Sequence, residues 1–321
     1  MQRPIVVVGS LNLDLVARVN HHPAIGETIT GLGFNTYCGG KGANQAVALA
    51  RLSAPVKMIG KLGGDVFAAQ LRHGIESAGV DASCVENVPG ASGTALILSS
   101  TNGDNSIVVI PGANAMLLPE DIERHRQQIE GASMVLGQLE ISNQTTEYLG
   151  RLVRSAGIPF LLDPSPAYLL SPELLRSVTW LTPNETEAQR LLGMDSEGLS
   201  AISVQESADR LLTLGVRSVI LKRGDKGVYM AGRDVEPAFI DAVAVQAVDT
   251  TGAGDAFNGA FAFALAHKGM TPQEAARFAC AVAALSVTRA GAQTSMPTIS
   301  ECEAFMAYRS RCLGLVEKGR L

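Results

Sequence analysis

Residues Val248–Phe263 read V-D-T-T-G-A-G-D-A-F-N-G-A-F-A-F, and the fold follows from how this stretch is read. Gly252, Ala253, Gly254 and Asp255 run into Ala256–Ala266, where small and aromatic residues recur at three- and four-residue spacing and predict a buried helix. Glycines ahead of a helix remove the Cβ atoms that keep a ligand off the backbone. They also leave the first helical N–H groups unpaired and pointing outward. Those groups, with the positive end of the helix dipole, make a site for an anion. A carboxylate repels phosphate, so Asp255 beside such a site points to a different partner: the proton of an attacking hydroxyl, or a metal ion. On this stretch alone the other reading, Asp255 as the N-cap of the helix, stays open.

A second glycine-rich run, Cys38-Gly39-Gly40-Lys41-Gly42-Ala43-Asn44-Gln45, leads into an alanine-rich helix predicted over Ala46–Leu52. It offers backbone N–H groups in the same way, and Asn44 brings an amide to the first turn. The spacing is not that of a P-loop. Lys41 reads either as an anion contact or as an exposed loop lysine.

Upstream, Ile5–Val8 is a continuous β-branched run ending at Gly9-Ser10, the signature of a parallel strand buried on both faces. Asn12 and Asp14 follow it, where ligands lie in open α/β sheets, or where an Asx turn closes the strand. From Gly60 onward, helical patterns at Asp65–Ala78, Pro119–Ile129, Asn143–Ser155 and Gln205–Leu214 alternate with strand-like runs. Those runs are Met134–Leu136, Pro159–Leu162, Thr179–Leu181 and Ser218–Leu221. This alternation predicts a three-layer αβα domain on a mainly parallel sheet, occupying residues 1–321. Polar residues gather after the strands: Glu140, Asp163, Asn184 with Glu187, and the loop Lys222-Arg223-Gly224-Asp225-Lys226-Gly227. They predict one site along the carboxyl edge, although Asn184 and Glu187 also make a serviceable capping box. Two segments stand apart, at about 15–38 and 93–110. Short antiparallel strands in the first and a hairpin around Asn102-Gly103-Asp104-Asn105 in the second predict a small lid sheet, placed to cover the site or to pack on a copy of itself. A second alanine-rich helix is expected over Ala276–Val287, and a terminal helix with a polar tail after Ser300.

Bulk properties narrow the function. The chain has 321 residues, 46% hydrophobic and 18% charged, with a formal charge of −5 and no basic stripe, so nucleic acid is not an expected partner. No run of 18 apolar residues is present, so no membrane span is expected. The five cysteines, Cys38, Cys84, Cys280, Cys302 and Cys312, form no C-x-x-C pair. A reducing, cytoplasmic setting is the expectation.

With both glycine-rich runs in view, the chain resembles the ribokinase-type family of carbohydrate and nucleoside kinases over nearly its whole length. The match rests on G-S-L-N-L-D at Gly9–Asp14, G-G-K-G-A-N-Q-A at Gly39–Ala46, D-T-T-G-A-G-D-A-F-N-G at Asp249–Gly259 and S-V-T-R-A-G-A-Q at Ser286–Gln293. The resemblance implies ATP-dependent phosphorylation of the primary (O5) hydroxyl of D-ribose. A kinase for 2-deoxyribose, another furanose or a nucleoside is the alternative, and a non-catalytic sugar-binding protein a remote one. It implies Asp255 as general base and the Gly252, Ala253, Gly254 and Asp255 N–H groups as anion hole. Asn12, Asp14, Gly40, Lys41, Gly42, Ala43, Asn44 and Glu140 would surround the sugar. Asn184 lies near the nucleotide phosphates, and Lys222, Arg223, Gly224, Asp225, Lys226 and Gly227 run along the adenosine beside Gly254 and Cys280. Glu187 supports Mg²⁺ through water. Asp249, Thr251, Ser286, Arg289, Gly291 and Ser295 surround K⁺, largely through backbone oxygens. The lid strands pair two subunits into a homodimer. Two positions depart from the family pattern: Asp163 stands where Asn is usual, and Cys280 where many members carry Asn.

Overall fold

The computed structural model describes residues 2–102, 104–194 and 202–317. The expected turn residue Gly103 and the polar tail beyond 317 lie outside these. The first half of the chain runs β1 Ile5–Val8, β2 Asn12–Val19, β3 Gly33–Gly39, α1 Lys41–Arg51, β4 Val56–Leu62, α2 Val66–Ser77, β5 Asp81–Asn87, β6 Gly93–Ser100, β7 Asn105–Ile110, α3 Pro119–Arg124, α4 Arg126–Glu130, β8 Met134–Gln138 and α5 Asn143–Ser155. The second half runs β9 Phe160–Asp163, α6 Pro172–Leu175, β10 Trp180–Leu181, α7 Glu185–Leu191, α8 Val204–Thr213, β11 Ser218–Lys222, β12 Val228–Gly232, β13 Val235–Ile240, α9 Ala253–Lys268, α10 Pro272–Ser286 and α11 Ile299–Glu317.

Nine strands form the main sheet in the order β13-β12-β11-β10-β9-β8-β1-β4-β5. From β11 to β5 every pairing is parallel, and β12 and β13 close one edge as antiparallel neighbours. That edge hairpin and strands β4 and β5 are not anticipated from the periodicity. Pro237 sits in β13, where a missing N–H costs no ladder bond at an edge. The continuous apolarity of β1 has its explanation in the two cores it serves. Ile5 and Val7 face one core with α1, α2, α9 and α10; Val6 and Val8 face the other with α5 to α8. The expected αβα layering is therefore what these residues build.

The lid is a four-stranded sheet, β3-β2-β6-β7. Antiparallel pairing holds for β2–β3 and β6–β7, but the central pair β2–β6 is parallel. The reason is connectivity: β2 leaves the main sheet directly after β1, and β6 leaves the same edge after β5, so both run outward. Residues 20–32, part of the expected strand region, contain no strand. The stretch Pro119–Ile129 breaks into two short helices at His125.

Both key helices start earlier than their glycines suggest. Gly40, at φ +88°, turns the chain, and the Asn44 N–H already bonds the Gly40 carbonyl at 2.8 Å, so α1 begins at Lys41 and not at Ala46. Gly252, at φ +77°, does the same for α9, which begins at Ala253. Gly42 lies inside α1 because a Cβ there would stand 2.7 Å from the backbone of Gly9 and Ser10. That contact sets α1 against the end of β1. Gly42→Ala should thus destabilise the fold by about 1–3 kcal/mol through overpacking, despite alanine's better helix propensity. Denaturant midpoints of the two proteins check this, and an alanine variant of equal or greater stability contradicts it.

Candidate active site

The carboxyl edge of the parallel strands carries Ser10 after β1, Gln138 and Glu140 at the end of β8, Asp163 on β9, Asn184 after β10 and Lys222 on β11. The N-termini of α1 and α9 point at the same edge. Asp255 is not the helix cap; Gly252 is, and Asp255 is the third residue of α9, its side chain turned inward with only 6% of the residue exposed. The Asn44 amide donates to its Oδ2 at 2.9 Å and the Gln45 amide to its Oδ1 at 3.1 Å. Gln45 Nε2 also donates to Asp163 Oδ2 at 3.1 Å, and Gln45 Oε1 accepts from Gln138 at 2.8 Å. Gln45 is therefore locked between two carboxylates.

Burial pushes the Asp255 carboxyl up to about 6; Lys41 opposes the rise, Asp163 adds to it, and the amides of Asn44 and Gln45 oppose it. Lys41 is half-buried in the first turn of α1, not an exposed loop residue. Burial works against its charge, but Asp255, Asp163, Glu140 and Glu187 together hold its ammonium above the ordinary value. At the mouth of α9, the Ala253 N–H is spent on the Thr250 carbonyl at 3.2 Å. Among the described residues no hydrogen bond uses the N–H groups of Gly252, Gly254 or Asp255, so these are the open donors.

Asn12 and Asp14 lie on β2, at the root of the lid, so the Asx-turn reading does not apply. Asn12 Oδ1 accepts from Asn114 at 2.7 Å, and Ser10 Oγ and the Lys41 N–H donate to Glu140 Oε2 at 2.5 and 3.2 Å. Burial, then the carboxylates of Glu140 and Asp255, push Asp14 up to about 7 against the pull of Lys41. A side chain at Gly39 would displace the Asp14 carboxylate from this position.

A cavity of about 720 Å³ adjoins this cluster. Its polar end is lined by Lys41, Asp163, Asn184, Glu187, Lys222 and Gly252–Asp255, and its apolar end by Val228, Val243, Val245, Cys280, Ala283 and Val287. Gly224, Asp225 and Gly227 also line it. Arg223 turns instead toward the Phe239 ring, 5.0 Å away, and Lys226 does not reach the lining. Burial pushes the Cys280 thiol up to about 12, so it serves as an apolar wall. Glu187 Oε2 caps the Asn184 N–H at 2.8 Å, which realises the capping box and leaves Oε1 clear of it.

The remaining site residues bind two loops together. Asp249 accepts from the Thr251 N–H and hydroxyl at 2.9 and 2.7 Å and from the Gly291 N–H at 2.8 Å. The side chains of Ser286 and Ser295 bond back to Ala283 and Ala292, and Arg289 pairs with Glu301. Backbone oxygens are therefore what this region offers a cation.

A sugar-kinase family model, that of the pfkB family carbohydrate kinases, matches residues 2–299. The chain belongs to this family. Ribokinase of Bacillus subtilis is 41% identical over 307 residues, 95% of this kinase and 100% of that protein. Deoxyribokinase of Salmonella typhi is 38% identical over 305 residues, 94% and 98% of the two chains. Among solved structures, Arabidopsis thaliana ribokinase complexed with ribose and ATP aligns with a TM-score of 0.87 at 35% identity, covering 95% of this kinase and 99% of that chain. The kinase is thus a phosphotransferase with the ribokinase fold.

Sequence reasoning missed Gln45, Gln138 and Asn114. Each is a buried amide next to a glycine-rich or strand-end motif, and an uncharged polar residue in an otherwise apolar run was the available signal.

Because folding raises the Asp255 pKa, the native state holds that proton more tightly than the unfolded chain does. Stability present below the unfolded value is lost as pH rises through about 6. The buried charge then costs at most about 3 kcal/mol. Asp255→Asn removes it, and the unpartnered Asn44 Oδ1 accepts the new amide when Asn44 turns. The variant should melt a few degrees higher than the parent at pH 7.5, the gap closing near pH 5, while turnover is abolished. Paired melting curves check it, and a lower melting point at both pH values contradicts it.

Proposed function

We propose that this kinase transfers the γ-phosphoryl group of ATP to the primary (O5) hydroxyl of a free pentose, D-ribose first. The observation that carries the reading is the buried Asp255 carboxylate, placed beside open N–H groups of α9 and at the polar end of a nucleotide-sized cavity. In the reaction Asp255 takes the O5 proton as the O5–P bond forms. The bond from the γ-phosphorus to its bridging oxygen breaks, and ADP leaves with that electron pair. Gly252, Gly254 and Asp255 donate their N–H groups to charge on the phosphoryl oxygens. Asn12, Asp14, Asn44 and Glu140, with the backbone of Gly40–Ala43, grip the sugar hydroxyls; a small neutral furanose offers no charge to hold, so such bonds decide its selection. The apolar end of the cavity takes the adenine.

The free Oε1 of Glu187 suits a hydrated Mg²⁺, which would neutralise phosphate charge, and the backbone oxygens of the Asp249–Thr251 and Ser286–Ser295 loops suit K⁺. Cys38, Cys84, Cys280 and Cys302 are free thiols, as a reducing compartment keeps them, and no described helix is long and apolar enough to cross a membrane. We place the chain in the cytoplasm.

The identity to a deoxyribokinase makes 2-deoxyribose the second reading. kcat/KM for ribose, 2-deoxyribose and a nucleoside, each in K⁺ and in a bulky organic cation buffer, tests both readings. Ribose should rank first, and rates should drop without K⁺. A nucleoside ranking above ribose rejects the acceptor, and equal rates in the two buffers reject the K⁺ site.

The lid presents Phe34, Leu96 and Val108 to solvent on one face and Ile107 and Val109 on the other. The first of these apolar faces fits a homodimer formed lid to lid. Sedimentation should give a dimer for the parent and a monomer for Val108→Lys; a monomeric parent contradicts the assembly.

A further inference from the structure

Asp163 and Lys222 have no part in the reaction as drawn, yet they occupy its centre. Lys222 ends β11 and Asp163 ends β9, and the ammonium donates to Asp163 Oδ1 at 3.1 Å across the intervening β10. The pair is mostly buried, the two side chains being 15% and 3% exposed where they line the cavity. The same ammonium fills the space that a side chain on residue 254 would take, since a Cβ there would lie 3.3 Å from Nζ. The charge of Lys222 therefore lies over the second residue of α9, in the mouth where the Gly254 and Asp255 N–H groups open. A cation at a helix N-terminus is opposed by the helix dipole. Asp163 offsets that opposition, and an anion entering the mouth would complete the balance. Asp163 gives its other oxygen to Gln45, which also holds Asp255, so Lys222, Asp163, Gln45 and Asp255 form one chain of contacts.

We propose that Lys222, positioned by Asp163, contacts the transferred phosphoryl group itself, and not the adenosine that the resemblance assigns to its loop. The assignment rests on the ATP-dependent reaction above. It gives the Asp163 departure a partner: the carboxylate holds the Lys222 ammonium at the phosphoryl position. Beyond Lys222 the loop turns away, with Arg223 stacked on Phe239.

Calorimetry with β,γ-methylene-ATP and with AMP, on the full chain and on Lys222→Met, Lys222→Arg and Asp163→Asn, tests it. Lys222→Met should weaken the methylene analogue at least about tenfold more than AMP. It should lower kcat about 10²- to 10³-fold, as loss of one transition-state charge contact does, and leave sugar affinity unchanged. Lys222→Arg should recover part of the loss. Asp163→Asn keeps an oxygen for Gln45 and should move the acidic limb of the kcat profile to lower pH. Asp255 is faced by Lys41 from α1, Asp163 from β9 and Asp14 from β2, and only the second of these charges is then removed. A purely structural Asp163 leaves that limb in place. Equal weakening of AMP and the analogue by Lys222→Met, or no weakening of either, overturns the proposal. If Lys222→Met does not fold, Lys222→Gln supplies the same comparison. If the parent turns over no sugar, the reaction above fails, while the two binding constants still decide the role of Lys222.

Discussion

A carboxylate enclosed by protein must be held by something, and the burial of Asp255 sets terms that the rest of the molecule meets. Water is excluded from it, so amides and cations supply what water would. Asn44 and Gln45 supply the amides, Lys41 an opposing charge. All three come from the first turns of α1. That helix must therefore lie against α9 with its N-terminus at the same sheet edge. Gly42 against the end of β1 and Gly259 against Ala48 are the two places where the absence of a side chain lets it do so. The charge state that the proposed reaction needs is the less stable one, so burial of Asp255 would be stability given up for that role.

The second consequence concerns geometry. In a parallel sheet every strand delivers its chain to one edge and every following helix starts there. The lid departs from that edge too, because β2 begins two residues after Ser10. Asn12 and Asp14 thus belong to the lid while Asn44 and Asp255 belong to the body, and a sugar held by both is held across the joint. The nucleotide-sized cavity lies wholly on the body side, walled by β12, α10 and the segment Ala242–Ala247. Under the proposed reaction the acceptor would be held by lid and body together and the donor by the body alone, which suits a site that closes over one of them and excludes water.

The polar end of the cavity has its own logic. Two cations, Lys41 and Lys222, line it with the α9 N-terminus, and Asp163 and Asp255 share Gln45 between them. Each charge there has an opposite neighbour, so the cluster is tolerable when empty. It leaves the amide groups of Gly254 and Asp255 with nothing to bind except an incoming anion. Asp249 performs a different task, tying the loop before α9 to the loop after α10 and so fixing where that helix begins.

The two glycine-rich runs, the β-branched first strand and the alternation of helix and strand are local patterns, and the αβα architecture, the parallel sheet and the glycine-led start of α9 were readable from them. Asp255, Asn44, Asn184 and Glu187 were readable too, because each lies within a few residues of a glycine or strand-end signal. The partners of these residues were not. Gln45 meets Asp255 across 210 positions, Gln138 meets Gln45 across 93, and Lys222 meets Asp163 across 59. Composition and spacing carry no information at that range. Whether Asp255 capped a helix or sat inside its first turn depended on the left-handed turn at Gly252, and the parallel pairing of β2 with β6 depended on where the main sheet released each strand. Local chemistry is written residue by residue along the chain; the environment that raises a carboxyl's pKa, or sets an ammonium over a helix end, exists only once distant segments are packed together.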